Sequence, residues 1–315
     1  MNRTDAADRS GAQSLGERIA EWRELLERCG QRPGRKRVHA LRVVTLRIQA
    51  EVEDELSDLP CASHEAQAML NFGKRAEKLR DSLGAVRELD VWIGKLKGLR
   101  ESLSESTEYV PRTTRETARQ IERLEERLAK KREKAGDRLV ADIEKRHGDL
   151  LSAASDVEKA TGERAAEVDE GRASKLLKGF AEIASEFPNF DESNLHDFRK
   201  RIKKIRYVAE IHSADRICGR IAVQVKKAQD AIGEWHDWQV LARTSGSGKH
   251  AKNSHAVELL SSLTSEAYET ALATCDSVLQ RMADTGNRMD AELKPRRKPP
   301  VPAEGAVQES ATKLA

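Results

Sequence analysis

The segment "LHDFRKRIKKIRY", residues 195–207, sets six Lys and Arg side chains and a histidine against a single aspartate. Plotted at ~100° per residue with His196 at zero, Phe198, Ile202, Ile205 and Ala209 gather at about 180–240°. That is the apolar face of a packed helix. On the same wheel Arg206, Arg199, Lys203 and His196 fall at roughly 280°, 300°, 340° and 0°, along one edge of that face. Lys200 and Lys204 lie further round, where a side chain meets solvent.

A second segment, "VHALRVVTLRIQA" at 38–50, opens in the same way with an apolar residue, a histidine, and an arginine three positions later. Leu41, Val44, Ile48 and Val52 form its packing face, and Arg35, Arg42, Gln49 and His39 occupy the bordering strip. The offset of 157 that pairs His39 with His196 also pairs Arg42 with Arg199 and Arg47 with Lys204. It places Leu46 opposite Lys203 and Gln49 opposite Arg206, so the first strip reads as the less cationic. A second motif follows each: "LRDSLGAVRELDVW" at 79–92 matches "AQDAIGEWHDWQVL" at 228–241 at an offset of 149, pairing Asp81 with Asp230, Gly84 with Gly233 and Glu88 with Asp237. Two motifs recurring in order mark a duplicated helical unit. If the halves pack about a pseudo-two-fold axis, the two strips face each other across one groove.

The rest of the chain agrees with an all-α fold. Of 315 residues, 35% are charged and only 4% aromatic, the composition of long amphipathic helices with an aliphatic core. Apolar periodicity predicts helices from Leu15 to Gly30, from Arg35 to Leu56, through Met69 to Val86, and over 115–146. It resumes near Lys175, pauses at "EFPNF", and continues over 195–211, 215–241 and 254–282. The expected organisation is a disordered N-terminus (1–13), a first half (14–155), a linker (156–174), a second half (175–285) and a disordered Pro-rich tail (293–315). "RTSGSGKHAKN" at 243–253 reads as a flexible basic loop.

Several function classes are disfavoured. The formal net charge is only +3, which does not describe a general polycation, and few aromatics are available to stack on bases, so sequence-reading of nucleic acid is not expected. No long apolar run or signal core is present, so the expectation is a cytoplasmic protein without membrane association. Cys29, Cys61, Cys218 and Cys275 show no CxxC spacing and read as reduced structural thiols. Basic residues at a core edge can simply lay their stems on apolar surface and hold their charges in water. Two observations argue for more. The His-x-x-Arg pattern recurs at one wheel position in two helices, and Asp197 is the only acid within 195–207. Unneutralised like charge costs stability unless an anion or distant carboxylates offset it.

These residues resemble the CHAD domain family, named for its conserved histidines and α-helical content. "VHALRVVTLRIQ" and "LHDFRKRIKKIRY" look like its opening helices, and "LGAVRELDV" and "IGEWHDWQV" like its second-helix motif, over about Leu15 to Met282. The resemblance implies two four-helix bundles related by a pseudo-two-fold, forming one CHAD-like unit with a basic central channel. It also implies non-enzymatic binding of inorganic polyphosphate and association with polyphosphate granules. Carried over by position, the ligand-facing residues are His39, Arg42, Arg47, His196, Arg199, Lys203, Lys204 and Arg206, with Arg35, Lys78, Arg87, Arg132, Lys227 and His236 as secondary candidates. Leu46 and Gln49 stand where the family pattern is usually basic. Arginine forks and lysine point charges suit such a polyanion.

Two other readings stand beside this one. His39 and His196 could ligate a divalent metal or accept a phosphoryl group, although an arginine one turn on from each opposes a dication. Alternatively, the basic groove receives an acidic protein partner. No cofactor is implied, a homodimer is compatible with the sequence, and "EVEDE" at 51–55 lacks the lysine of the Glu-x-Glu-x-Lys strand found in triphosphatase domains adjoining some relatives. Binding without hydrolysis is the expectation.

Overall fold

Helix α1 (Leu15–Gln31) starts at a reciprocal cap: Ser14 Oγ accepts from the Glu17 amide at 3.2 Å while Glu17 Oε2 accepts from the Ser14 amide at 2.8 Å. The computed structural model describes residues 14–56, 59–60, 62–105, 112–161, 171–246 and 254–293. Within them the chain continues as α2 (Arg35–Leu56), α3 (His64–Glu105), α4 (Arg112–Thr161), α5 (Arg172–Ser185), α6 (Leu195–Ile211), α7 (Arg216–Gly246) and α8 (His255–Leu293). The expected disordered N-terminus, nearly all of the Pro-rich tail and most of the basic loop lie outside the described residues.

Helices α1 to α4 close a ring in which α1 packs on α2 and α4, and α3 on α2 and α4. Helices α5 to α8 close a second ring in the same order. The rings join through corresponding members, α2 on α6, α3 on α7 and α4 on α8. Each ring has its own aliphatic core, one around Trp22, Leu41, Ile48, Phe72 and Leu83, the other around Phe198, Ile202, Val225, Ile232 and Cys275. A third cluster, Leu96, Ile121, Leu124, Leu128, Leu241, Ala256 and Leu260, binds the far end of the α3–α4 hairpin to that of α7–α8. Among the described residues no helix is long and apolar enough to cross a membrane.

Several helices run past their expected ends, α8 as far as Leu293, and for α3 and α4 the reason is packing. Leu96, Leu99 and Leu103 carry α3 past Val86 to reach the third cluster. Helix α4 runs into the stretch read as linker because Ala154, Val157 and Thr161 are buried against the first half. Helix α5 then begins at Arg172, whose guanidinium pairs with Asp54 at 2.7 Å.

The first bundle carries polar contacts inside it. Arg18, 2% exposed, forks onto Glu51 at 2.7 and 2.8 Å, joining α1 to α2. Next to this pair in the core, Trp22 Nε1 donates to Thr45 Oγ1 at 3.0 Å, and Thr45 Oγ1 donates to the Leu41 carbonyl at 2.7 Å. Together they fix the rotation of α2 about its own axis, and hence where Arg42 points.

Helix α6 is fixed differently. Phe198 takes the rings of Phe190, Phe187 and Phe180 at centroid distances of 4.8, 5.3 and 6.3 Å. The "EFPNF" pause is thus an aromatic socket, and Asp191 Oδ1 steadies its end by accepting from the amides of Ser193 and Asn194. With Phe198 seated, Arg199 and Lys203 turn toward α2, α3 and α7.

Candidate anion-binding site

The repeated glycines and the repeated arginines meet. Arg42 donates from Nη1 to the Arg80 carbonyl at 3.2 Å, and a Cβ on Gly84 would lie 3.4 Å from that nitrogen. In the second half Arg199 donates from Nε to the Gln229 carbonyl at 3.1 Å, and a Cβ on Gly233 would lie 3.0 Å from Nη2. Each bare helix surface lets a guanidinium lie flat across the neighbouring helix. Gly233→Ala should therefore act in two directions. Helix propensity favours alanine by up to ~1 kcal/mol in stability, while the crowded Arg199 shifts and affinity for a groove ligand falls by about three- to tenfold. Thermal melts beside a binding titration check both, and Gly84→Ala, with a looser fit, should weaken binding less.

A second pairing repeats with its partners exchanged. In the first half Arg80 Nη1 donates to Gln49 Oε1 at 3.4 Å, and in the second half Arg206 Nη1 donates to Gln229 Oε1 at 3.1 Å. Offsets of 157 and 149 match Gln49 to Arg206 and Arg80 to Gln229. Each half therefore keeps one arginine and one glutamine, with the arginine on α3 in one copy and on α6 in the other. The first strip is less depleted than Gln49 suggested, because Arg80 restores the cation. Sequence reading passed over Arg80, although the exchange is visible once both offsets are applied.

Lys203 sits where the two strips converge. Burial, reinforced by Arg42, Arg199, Arg80 and Arg206, pushes its ammonium down to about 7. Among the described residues it makes no hydrogen bond or ion pair, unlike Lys200, which pairs with Asp197 at 3.3 Å, and Lys204, which reaches Glu53 at 3.6 Å. Lys204 is 54% exposed and lies on the outer α2–α6 edge, as its wheel position indicates. Arg47 lies 3.5 Å from Glu210 Oε2, while Arg206 Nε donates to Glu210 Oε1 at 2.7 Å, so one carboxylate braces both arginines. Glu210 lies one turn beyond the window in which Asp197 was the only acid.

The histidines occupy corresponding ends of the strips. His39 keeps a solvent-exposed rim yet is held below its ordinary range, first by loss of solvent and then by Arg87, Arg42 and Arg35. His196 packs edge-on against His236 with centroids 5.1 Å apart. Burial, then His196, Arg199 and Arg243 push His236 down to about 4, and burial first, then Lys200 and Arg199, lowers His196. Arg87 occupies the register position of His236, so a cation beside a histidine in one half is a neutral ring beside a histidine in the other. Among the described residues no three His, Cys, Asp or Glu side chains gather closely enough to hold a metal ion.

Loss of solvent is the first cause that raises both Glu88 and Asp237, although Glu88 still reaches water. Asp237 adds to the rise at Glu88 and Glu234 to that at Asp237, while Arg199 opposes both and Arg42 opposes the rise at Glu88. Asp237 is further held by Trp92 Nε1, which donates at 3.1 Å. The secondary candidates divide. Arg35 lies against Gly94 and near His39 and Arg87, at the histidine end of the first strip. Arg132 is committed to Asp90 at 2.9 Å and to the Pro33 carbonyl. Lys78 lies with Arg75, Lys145, Arg146 and Asp149 in a separate hollow of about 330 Å³ between α3 and α4. Lys227 is exposed on α7.

A family model described as the CHAD domain matches residues 13–245. No curated protein matches the chain. The solved structure of PptA from Streptomyces chartreusis is similar in fold, with a TM-score of 0.56 and 13% identity, covering 87% of this chain and 97% of that one.

Proposed function

Because the chain belongs to the CHAD domain family, we propose that it binds inorganic polyphosphate, without transforming it, in the cationic groove where α2 and α3 meet α6 and α7. The observation that carries this reading is Lys203: a half-buried amine with no carboxylate partner among the described residues and with Arg42, Arg80, Arg199 and Arg206 around it. A folded chain gains nothing from gathering like charges at a half-buried point, and a polyanion of closely spaced phosphates offsets that cost. Guanidiniums held flat by Gly84 and Gly233 are preset to fork onto phosphate oxygens.

His39 and His196 extend the strips as neutral donors, and Arg47 sits at the rim through Glu210. Lys204 takes part by way of outlying chain only. Polyphosphate held in this groove would bring the protein to polyphosphate granules. The two halves act as one unit, each supplying one wall.

Titration with long-chain polyphosphate at several salt concentrations tests the proposal. With about five cations engaged, the logarithm of affinity should fall with the logarithm of salt at a slope of roughly 3–5. A short duplex, an acidic peptide and a divalent metal serve as parallel arms. Equal affinity for the peptide, or a histidine-dependent metal site that tightens without polyphosphate, would overturn the reading.

A further inference from the structure

Lys203 differs chemically from its neighbours on α6. An ammonium with a carboxylate partner keeps its proton and its lone pair is unavailable. Lys200 and Lys204 have such partners, and Lys203 has cations on every side: Arg42 from α2, Arg80 from α3, and Arg199 and Arg206 from its own helix. Gln229, from α7, is already engaged with Arg206 and offers no negative charge. Glu210, two turns further along α6, is occupied by Arg206 and Arg47. The amine is half-buried yet open to the groove, and near neutral pH a large share of it is uncharged, as a nucleophile requires.

The same guanidiniums that free this lone pair also attract anions. A reagent that carries both an electrophilic carbonyl and a phosphate would be drawn to the arginines by its phosphate and meet the amine with its carbonyl. We infer that Lys203 is a site of self-acylation by acyl phosphates, and that this modification closes the groove to its polyanion. The inference rests on the groove's being an anion site.

In the step, the neutral amine nitrogen attacks the acyl carbon to give a tetrahedral adduct. The adduct collapses with cleavage of the carbon–oxygen bond to phosphate, inorganic phosphate departs with the electron pair, and the nitrogen releases one proton to solvent. The product is an amide, which carries no charge at any pH of interest. Bound polyphosphate would block the reaction by covering the amine and holding it protonated. Only empty protein is modified, and modified protein stays empty.

The test uses the full-length chain, stripped of polyanion and incubated with acetyl phosphate near pH 7.5, with time points read by peptide mass mapping. Lys203 should acylate at least about tenfold faster than Lys200 and Lys204, which lie on the same helix and serve as internal references. Long-chain polyphosphate should suppress the Lys203 rate and leave the reference rates alone. Lys203→Arg should abolish the fast site and leave the Lys200 and Lys204 rates unchanged. A Lys203 rate no greater than that of Lys200 or Lys204 overturns the inference. Polyphosphate binding is titrated on the same preparation, so slow acylation with intact binding sinks this inference alone, and loss of binding sinks the reading beneath it.

Discussion

Arg199→Glu is expected to lower polyphosphate affinity by about 100-fold or more while leaving the helical fold intact. The substitution removes the guanidinium that lies across Gly233 and installs a carboxylate beside Lys203, Arg42 and Asp237. It therefore loses a fork onto phosphate and adds repulsion at the centre of the groove. Without ligand the effect on stability should run the other way, because one of the charges crowding Lys203 becomes its partner. A thermal melt unchanged or raised, together with collapsed binding, is the expected signature. Lys200→Glu, on the exposed side of the same helix, should change affinity by less than about threefold. Equal losses for the two variants would reduce the groove to generic surface charge.

The second large effect concerns stability. Glu51→Ala should cost up to about 3–5 kcal/mol, because it removes the carboxylate onto which the 2% exposed Arg18 guanidinium forks inside the first bundle. Equilibrium unfolding in urea measures it. A loss below about 1 kcal/mol would show that water or another group compensates Arg18. Replacing both residues with apolar ones, Arg18→Met with Glu51→Leu, should recover most of the loss, since the interior then holds no lone charge. The double variant should keep its polyphosphate affinity, because neither residue reaches the groove and the Trp22–Thr45 hydrogen bond still holds the rotation of α2.

Much of this architecture was legible in the sequence, and the parts that were not share a cause. The wheel of α6 separated Phe198, Ile202 and Ile205 from the cationic edge, because helical periodicity is a property of the local chain. It also put Lys204 outside, where it pairs with Glu53. Positional carry-over from the family places Lys204 among the ligand-facing residues, so the two readings part at this residue. What no local pattern contains is the identity of cross-helix neighbours. Arg80 and Gln229 became readable only by comparing the two copies against each other. Helix lengths were underestimated for the same reason: Leu96 to Leu103 and Ala154 to Thr161 extend their helices to reach partners distant in sequence.

Leu46 is where the two motifs differ most in task. By register it is the counterpart of Lys203, yet it is 8% exposed and, with Ala50, belongs to the core of the opposite half. A lysine in its place would set a second amine against the cationic strip and remove an apolar contact between the halves. One register position thus serves two tasks, a clasp on α2 and a bait on α6. Leu46→Lys would make the groove more attractive to a polyanion and the protein less able to hold its halves together.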